Sequence, residues 1–197
     1  MNRLVTRYLG LTLKNPVMVA SSGFTATAES IRHLEEAGAG AVVLKSLFEE
    51  QIRGEAAALE RDNDYPEAAD YLSAYVRENS VNHYLDLVRR AKAETDIPVI
   101  ASINCAGGGE WVHFAKEIER AGADALELNI FLMPETRTER SETLENGYYA
   151  IAASVAEEVK IPVAVKLGNH FTNPLRVISE LYAHGIKGVV MFNRFYE

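Results

Sequence analysis

Three helical segments of this chain stop at the same small-residue punctuation and run straight into a short apolar segment. Ala37-Gly38-Ala39 precedes residues 41–44, Ala121-Gly122-Ala123 leads into residues 123–130, and the variant His184-Gly185-Ile186 precedes residues 188–193. Ile-Pro-Val opens two more such segments, at residues 97–104 and 161–166. The apolar runs are continuous rather than alternating, as in strands buried on both faces, and helices between them mean a parallel sheet covered by helices. With Val17-Met18-Val19-Ala20 as the first strand, six strand–helix units follow without a change of rhythm. That favours an α/β fold of the (β/α)8 TIM-barrel type over an open doubly wound sheet. Eight units take about 250 residues. The 197 residues therefore predict a single incomplete barrel domain, 1–197, truncated after about six β/α units.

Residues 3–12 read as a hairpin ahead of the first strand. Helices are expected at residues 30–37, 81–94, 111–120, 147–159 and 175–184, each with apolar residues at helical spacing, and a polar loop at residues 133–143. Residues 49–79 are charged and irregular, with Asp62-Asn63-Asp64 and three tyrosines; they read as an insertion over the active-site end, with helical pieces near residues 67–75.

The net charge of −8 argues against nucleic acid or an anionic membrane surface as the main partner, so any anion site must be local. The longest apolar runs fall far short of the roughly 20 residues that span a bilayer. A single cysteine, Cys105, excludes an intramolecular disulfide and suits a reducing, cytoplasmic setting. It reads as a small buried hydrophobe.

In parallel α/β folds the chemistry gathers at the carboxyl ends of the strands. Here those ends carry Ser21, Ser22 and Gly23; Lys45 and Ser46; Asn104 and Cys105; Glu127 and Asn129; Lys166; and Asn193. No His or carboxylate set has metal-ligand spacing, and no Ser–His–Asp arrangement is present, so a metal site is not expected. Gly107-Gly108-Gly109 alone is a weak phosphate signal. Two lysines and three asparagines on one mouth suit a polar, electron-rich planar ligand, for which a cation stabilises an anionic ring and amides fix its orientation. The five histidines are scattered, and none is given a role; His33 reads as solvent-facing.

Four stretches then resemble the dihydroorotate dehydrogenase family in order and spacing: Asn15-Pro16-Val17-Met18-Val19-Ala20-Ser21-Ser22-Gly23, Lys45-Ser46, Glu127-Leu128-Asn129, and Pro162-Val163-Ala164-Val165-Lys166-Leu167. Leu11-Thr12-Leu13-Lys14 is similar to the hairpin that family places beneath its barrel. The resemblance implies an FMN-containing flavoprotein of pyrimidine biosynthesis that oxidises a small cyclic substrate by hydride transfer to the flavin. It implies backbone approach of Ala20, Ser21 and Gly23 to FMN, contact of Lys45 with both flavin and substrate, and contact of Ser46 with the ring. Asn104, Asn129 and Lys166 would bind FMN. Asn193 would face the substrate, as would Asn129 and one of Asn79 and Asn82. No nucleic acid or membrane partner is implied, and a homodimer is compatible with it. An iron–sulfur centre would lie on another chain, since no cysteine cluster is present.

One departure bears on the chemistry. The family continues after Glu-Leu-Asn with a small residue and then Ser-Cys-Pro-Asn, or places a serine in the following loop region as the proton-abstracting base. Phe131 and Leu132 occupy those positions, and neither takes a proton. Glu135, Thr136 or Ser141 are the alternatives on the same loop. Two other readings stay open: a flavin-free barrel using Lys45 or Lys166 as a Schiff-base or acid/base lysine on a phosphorylated metabolite, and a truncated, non-catalytic paralogue acting as a binding subunit.

Overall fold

The computed structural model describes residues 4–48, 52, 69–105 and 108–193. The chain enters through an antiparallel hairpin, β1 (Thr6–Tyr8) and β2 (Leu11–Leu13). The main sheet follows in chain order: β3 (Met18–Val19), β4 (Ala41–Val43), β5 (Leu47–Phe48), β6 (Val99–Asn104), β7 (Ala125–Asn129), β8 (Val163–Leu167) and β9 (Gly188–Met191). Every pairing in it is parallel, in the order β3-β4-β6-β7-β8-β9, with β5 pairing β6 beyond the end of β4. Helices α1 (Ala28–Glu36), α2 (Ala69–Glu94), α3 (Gly108–Ala121), α4 (Ser141–Glu158) and α5 (Pro174–Ala183) connect the strands. The described strands form a curled half-barrel of the (β/α)8 type, as the repeat predicts.

The repeated punctuation has one physical cause. Gly38, Gly122 and Gly185 take φ of +105°, +97° and +91°, the left-handed turn that ends a helix. In each case the next residue's N–H reaches back to a carbonyl of the last helical turn: Ala39 to Leu34, Ala123 to Ile118, and Ile186 to Leu181, at 3.0, 3.4 and 3.1 Å. The same cap therefore launches β4, β7 and β9 from α1, α3 and α5.

Each barrel strand divides its side chains between two cores. Val42, Leu44, Ala101, Ile103, Leu126, Leu128, Val165 and Leu167 pack outward against Trp111, Ile118, Val155 and Leu181 of the helices. Val43, Ile100, Ala125 and Ala164 face inward and meet Leu9 and Tyr8 of the hairpin, which plugs the amino-terminal end of the arc. Gly188 is small because the hairpin passes over it: a Cβ there would lie 2.6 Å from Leu9 Cδ2.

The five helices named above begin earlier than their patterns predict, α1, α3 and α5 by one to three residues and α2 and α4 by more. α2 is already helical at Ala69, so residues 69–79 are its first turns and not a separate helical piece; residues 49–51 and 53–68 of the expected insertion lie outside the described residues. α4 begins at Ser141, six residues before the Gly147 start, and correspondingly shortens the loop. Gly147 reads as a boundary in sequence but sits inside the helix, because Leu132 crosses it so closely that a Cβ would lie 2.7 Å from Leu132 Cδ1. Among the described residues no helix is long and apolar enough to cross a membrane.

Candidate active site

At the carboxyl ends of the strands, a chain of polar contacts crosses the arc. Ser21 Oγ, after β3, accepts the Ser46 N–H at 2.9 Å and meets Ser46 Oγ at 3.0 Å. Ser46 Oγ lies 2.7 Å from Ser102 Oγ on β6, which donates to Glu127 Oε1 on β7 at 2.9 Å. Glu127 Oε1 also holds Lys166 Nζ of β8 at 2.6 Å. Glu127 and Lys166 are 2% and 8% exposed, so this is a buried ion pair whose carboxylate is further satisfied by a hydroxyl. Ser102, Glu127 and Lys166 share the inward face with Ile100, Ala125 and Ala164, two residues further along each strand.

Beyond that chain lie the amides. Asn104 Nδ2 donates to the Asn129 carbonyl at 2.7 Å, tying the end of β6 to the end of β7. Asn129 is 4% exposed, and its Oδ1 has no hydrogen-bond partner among the described residues. Buried acceptors are rarely left so. An N–H-bearing ligand at the mouth would satisfy it.

The gap between β4 and β5 is filled from α2. Tyr84 Oη accepts the Ser102 N–H at 2.8 Å and donates to the Ser102 carbonyl at 2.9 Å, standing in for the strand partner that β6 lacks there. Burial pushes this phenol well above its ordinary range; the Ser102 hydrogen bond opposes that, and the Glu127 charge adds to it. In the break itself, Lys45 donates its backbone N–H to Thr25 in the short 3-10 turn Gly23–Thr25, and its exposed ammonium has no partner among the described residues. Lys45 and Ser46 border a cavity of about 370 Å³ whose far wall, on α2, includes Asn79, His83 and Tyr84.

The structure thus brings Ser21, Ser46, Asn104, Asn129 and Lys166 to one mouth. Lys45 and Asn79 flank the adjoining cavity, while Asn82 is exposed outside that lining. Ala20 and Gly23 are exposed beside Ser21, and Asn193 is held at the end of β8 by its N–H to the Leu167 carbonyl at 2.8 Å. The family model described as dihydroorotate dehydrogenase matches residues 3–196. The chain belongs to the dihydroorotate dehydrogenase family.

Among its relatives is the catalytic subunit of a dihydroorotate dehydrogenase B (NAD(+)) from Geobacillus, 30% identical over 98% of this chain and 61% of the relative. A subunit of the same description from Methanocaldococcus jannaschii is 28% identical over 96% of this chain and 62% of its own length. A putative dihydroorotate dehydrogenase A (fumarate) from Aeropyrum pernix is 29% identical over 93% and 59%. The chain therefore spans about three fifths of the length of these relatives. Among solved structures, a phosphonopyruvate hydrolase superposes with a TM-score of 0.56 at 15% identity, over 91% of this chain and 58% of the other, a likeness of fold alone.

The family's base positions are apolar here in space as well as in sequence. Leu132 packs into the outer core against Gly147, and its N–H meets Tyr148 Oη at 3.3 Å. Phe131 stays exposed at the mouth, edge-on to His170. The alternatives on the loop are all exposed: Glu135 donates its backbone N–H to the Glu139 carboxylate, Thr136 pairs with Thr138, and Ser141 opens α4. Ser102 and Tyr84 carry no expected role in the sequence reading, yet they join the two sides of the site. A serine at mid-strand, on the same parity as Asn104, was the available signal for the first.

Proposed function

We propose that this chain forms the flavin-binding face of a dihydroorotate dehydrogenase-type oxidoreductase that acts on a CH–CH donor. The observation that carries the reading is the buried, unpartnered Oδ1 of Asn129 beside the Lys166–Glu127 pair, at the carboxyl ends of parallel strands. The donor set fits a flavin: the ring edge presents an N–H for an amide oxygen, and carbonyl and ring-nitrogen acceptors for lysine. FMN, when bound, supplies the two-electron acceptor that none of the side chains provides.

The chain's own residues would do the rest. Asn129 would accept from the ring N–H, and Asn104 would hold the Asn129 backbone in register. Lys166 would offer a cation to the anionic form of the ring, while Glu127 keeps that cation oriented and its charge compensated. Ser21 and Ser46 would line the side toward β3, with Ala20 and Gly23 presenting backbone to the ligand. Lys45 would meet flavin and substrate, its ammonium open toward the cavity shared with Asn79, and Asn193 would face the substrate. The small-molecule substrate, the cytoplasmic setting and homodimeric assembly belong to the same proposal.

A visible absorption spectrum of the purified protein, followed by titration with FMN, tests this. A yellow protein, or one that takes up FMN with a shifted flavin band and loses it in Asn129→Ala, supports the reading. A wild-type protein that leaves added FMN unperturbed refutes it.

A further inference from the structure

The mouth-facing side of β8 carries Ala164 and then Lys166, and the next position on that face is Gly168. The space its side chain would fill holds an imidazole. A Cβ on Gly168 would lie 2.5 Å from Nδ1 and 2.6 Å from Cε1 of His170. His170 therefore folds back over the end of β8, on the face that carries Lys166.

Two rings hold it there. Phe131, on the corresponding face of β7 two residues beyond Asn129, meets the imidazole edge-on with centroids 6.0 Å apart and planes at 89°. Phe171 lies against it at 4.4 Å and rests in turn on Tyr148 at 5.2 Å. Neither imidazole nitrogen has a hydrogen-bond partner among the described residues, and the residue is exposed. The Nδ1–Cε1 edge lies toward Gly168, which leaves Nε2 as the nitrogen farther from the strand.

The other groups on this side of the mouth are engaged or unable to exchange a proton. Lys166 and Glu127 are bound to each other, Ser102 donates to Glu127, and the amides of Asn104 and Asn129 do not titrate. The elements packed against His170 present uncharged rings, Phe131 and Phe171, and the charged pair nearest along its own face is Lys166–Glu127. Imidazole is also the side-chain type that exchanges protons near neutral pH without special surroundings.

We propose that His170 is the proton-exchanging residue of this mouth, facing the ligand held at Asn129 and Lys166. The inference rests on the flavin-dependent reading above. Oxidation of two adjacent substrate atoms removes one hydrogen as a hydride, whose two electrons the bound flavin accepts, and the other as a proton. Nε2 of the neutral imidazole takes that proton to give imidazolium, and the electron pair of the broken bond becomes the new double bond. Phe131 and Phe171 keep the ring in place, and Gly168 leaves it room.

The test uses the purified protein labelled with 15N in its five histidines and loaded with FMN, the His170 signals being assigned from His170→Asn. FMN is expected to shift the imidazole signals of His170. Reduction of the bound flavin with dithionite is expected to move those imidazole signals a second time, because negative charge then develops beside the ring. In Gly168→Ala loaded with FMN, the new Cβ displaces the ring and both responses disappear. Imidazole signals that ignore FMN and its reduction, or a Gly168→Ala protein that responds like wild type, overturn the proposal and leave the flavin reading standing. Failure of the wild type to bind FMN overturns both.

Discussion

Replacing Tyr84 with phenylalanine removes one oxygen atom and strands two backbone groups. The phenol answers both the N–H and the carbonyl of Ser102, at 2.8 and 2.9 Å, in a place where the chain between β4 and β5 has moved away from β6. Tyr84 and Ser102 are both buried, so water does not replace the lost oxygen without rearrangement. Each orphaned buried group costs about 1–3 kcal/mol, and the phenylalanine no longer desolvates a hydroxyl, which offsets part of the sum. The expected loss is about 2–4 kcal/mol of unfolding free energy. Urea unfolding followed through the single tryptophan, Trp111, which is buried on α3, reads it as a lower midpoint at unchanged slope. Tyr75→Phe, at an exposed position of the same helix, is the control and should leave the midpoint in place. Hydrogen exchange at the Ser102 amide should accelerate only in Tyr84→Phe. A Tyr84→Phe protein within about 0.5 kcal/mol of wild type, with its Ser102 amide still protected, would refute the view that this phenol completes the sheet.

Glu127→Gln keeps an acceptor for Ser102 but leaves the Lys166 ammonium buried beside a neutral group, with an expected loss of about 3–5 kcal/mol by urea unfolding. Glu127→Gln combined with Lys166→Met should recover most of it, and a double variant no more stable than the single one would argue against the pair. Tyr8, in the hairpin beneath the barrel, has its phenol pushed up to about 12 by burial, with the Glu127 charge adding to the effect. Because the folded phenol holds its proton more tightly than the unfolded one, its contribution is complete below the unfolded value of 10.0 and is lost as pH rises toward about 12. Wild type should therefore lose stability relative to Tyr8→Phe across that window, whereas a difference between the two that stays constant from about pH 9 to about pH 11.5 would contradict the assignment.

The architecture was legible from local sequence rules. Continuous apolar strands need cover on both faces, and a glycine after a helix needs a left-handed turn that few other residues adopt. Those two constraints are local, so Gly38, Gly122 and Gly185 mark where strands begin without any knowledge of what the strands pair with. The period-2 geometry of a strand also put Lys45, Asn104, Asn129 and Lys166 at one end of the sheet. Helix starts were less legible: at α4 the interior Gly147 looks like a boundary until Leu132 is seen lying across it.

Which of those end residues touch depends on the assembled fold. The relay from Ser21 through Ser46, Ser102 and Glu127 to Lys166 joins residues 25 to 56 positions apart at each link; parallel register sets Ser102 directly beside Glu127, while Lys166, whose register partner is Asn129, reaches Glu127 diagonally across β7 and β8. Tyr84 joins the site from a helix, through the backbone of a strand, which no side-chain pattern encodes. The placement of His170 is of the same kind, since a residue in a loop comes to occupy the side-chain space of a glycine two positions earlier. Local rules fix which backbone conformations and faces a sequence takes up. Contacts between side chains distant in sequence depend on how the strands are registered and how closely their neighbours pack, and those are properties of the assembled barrel wall.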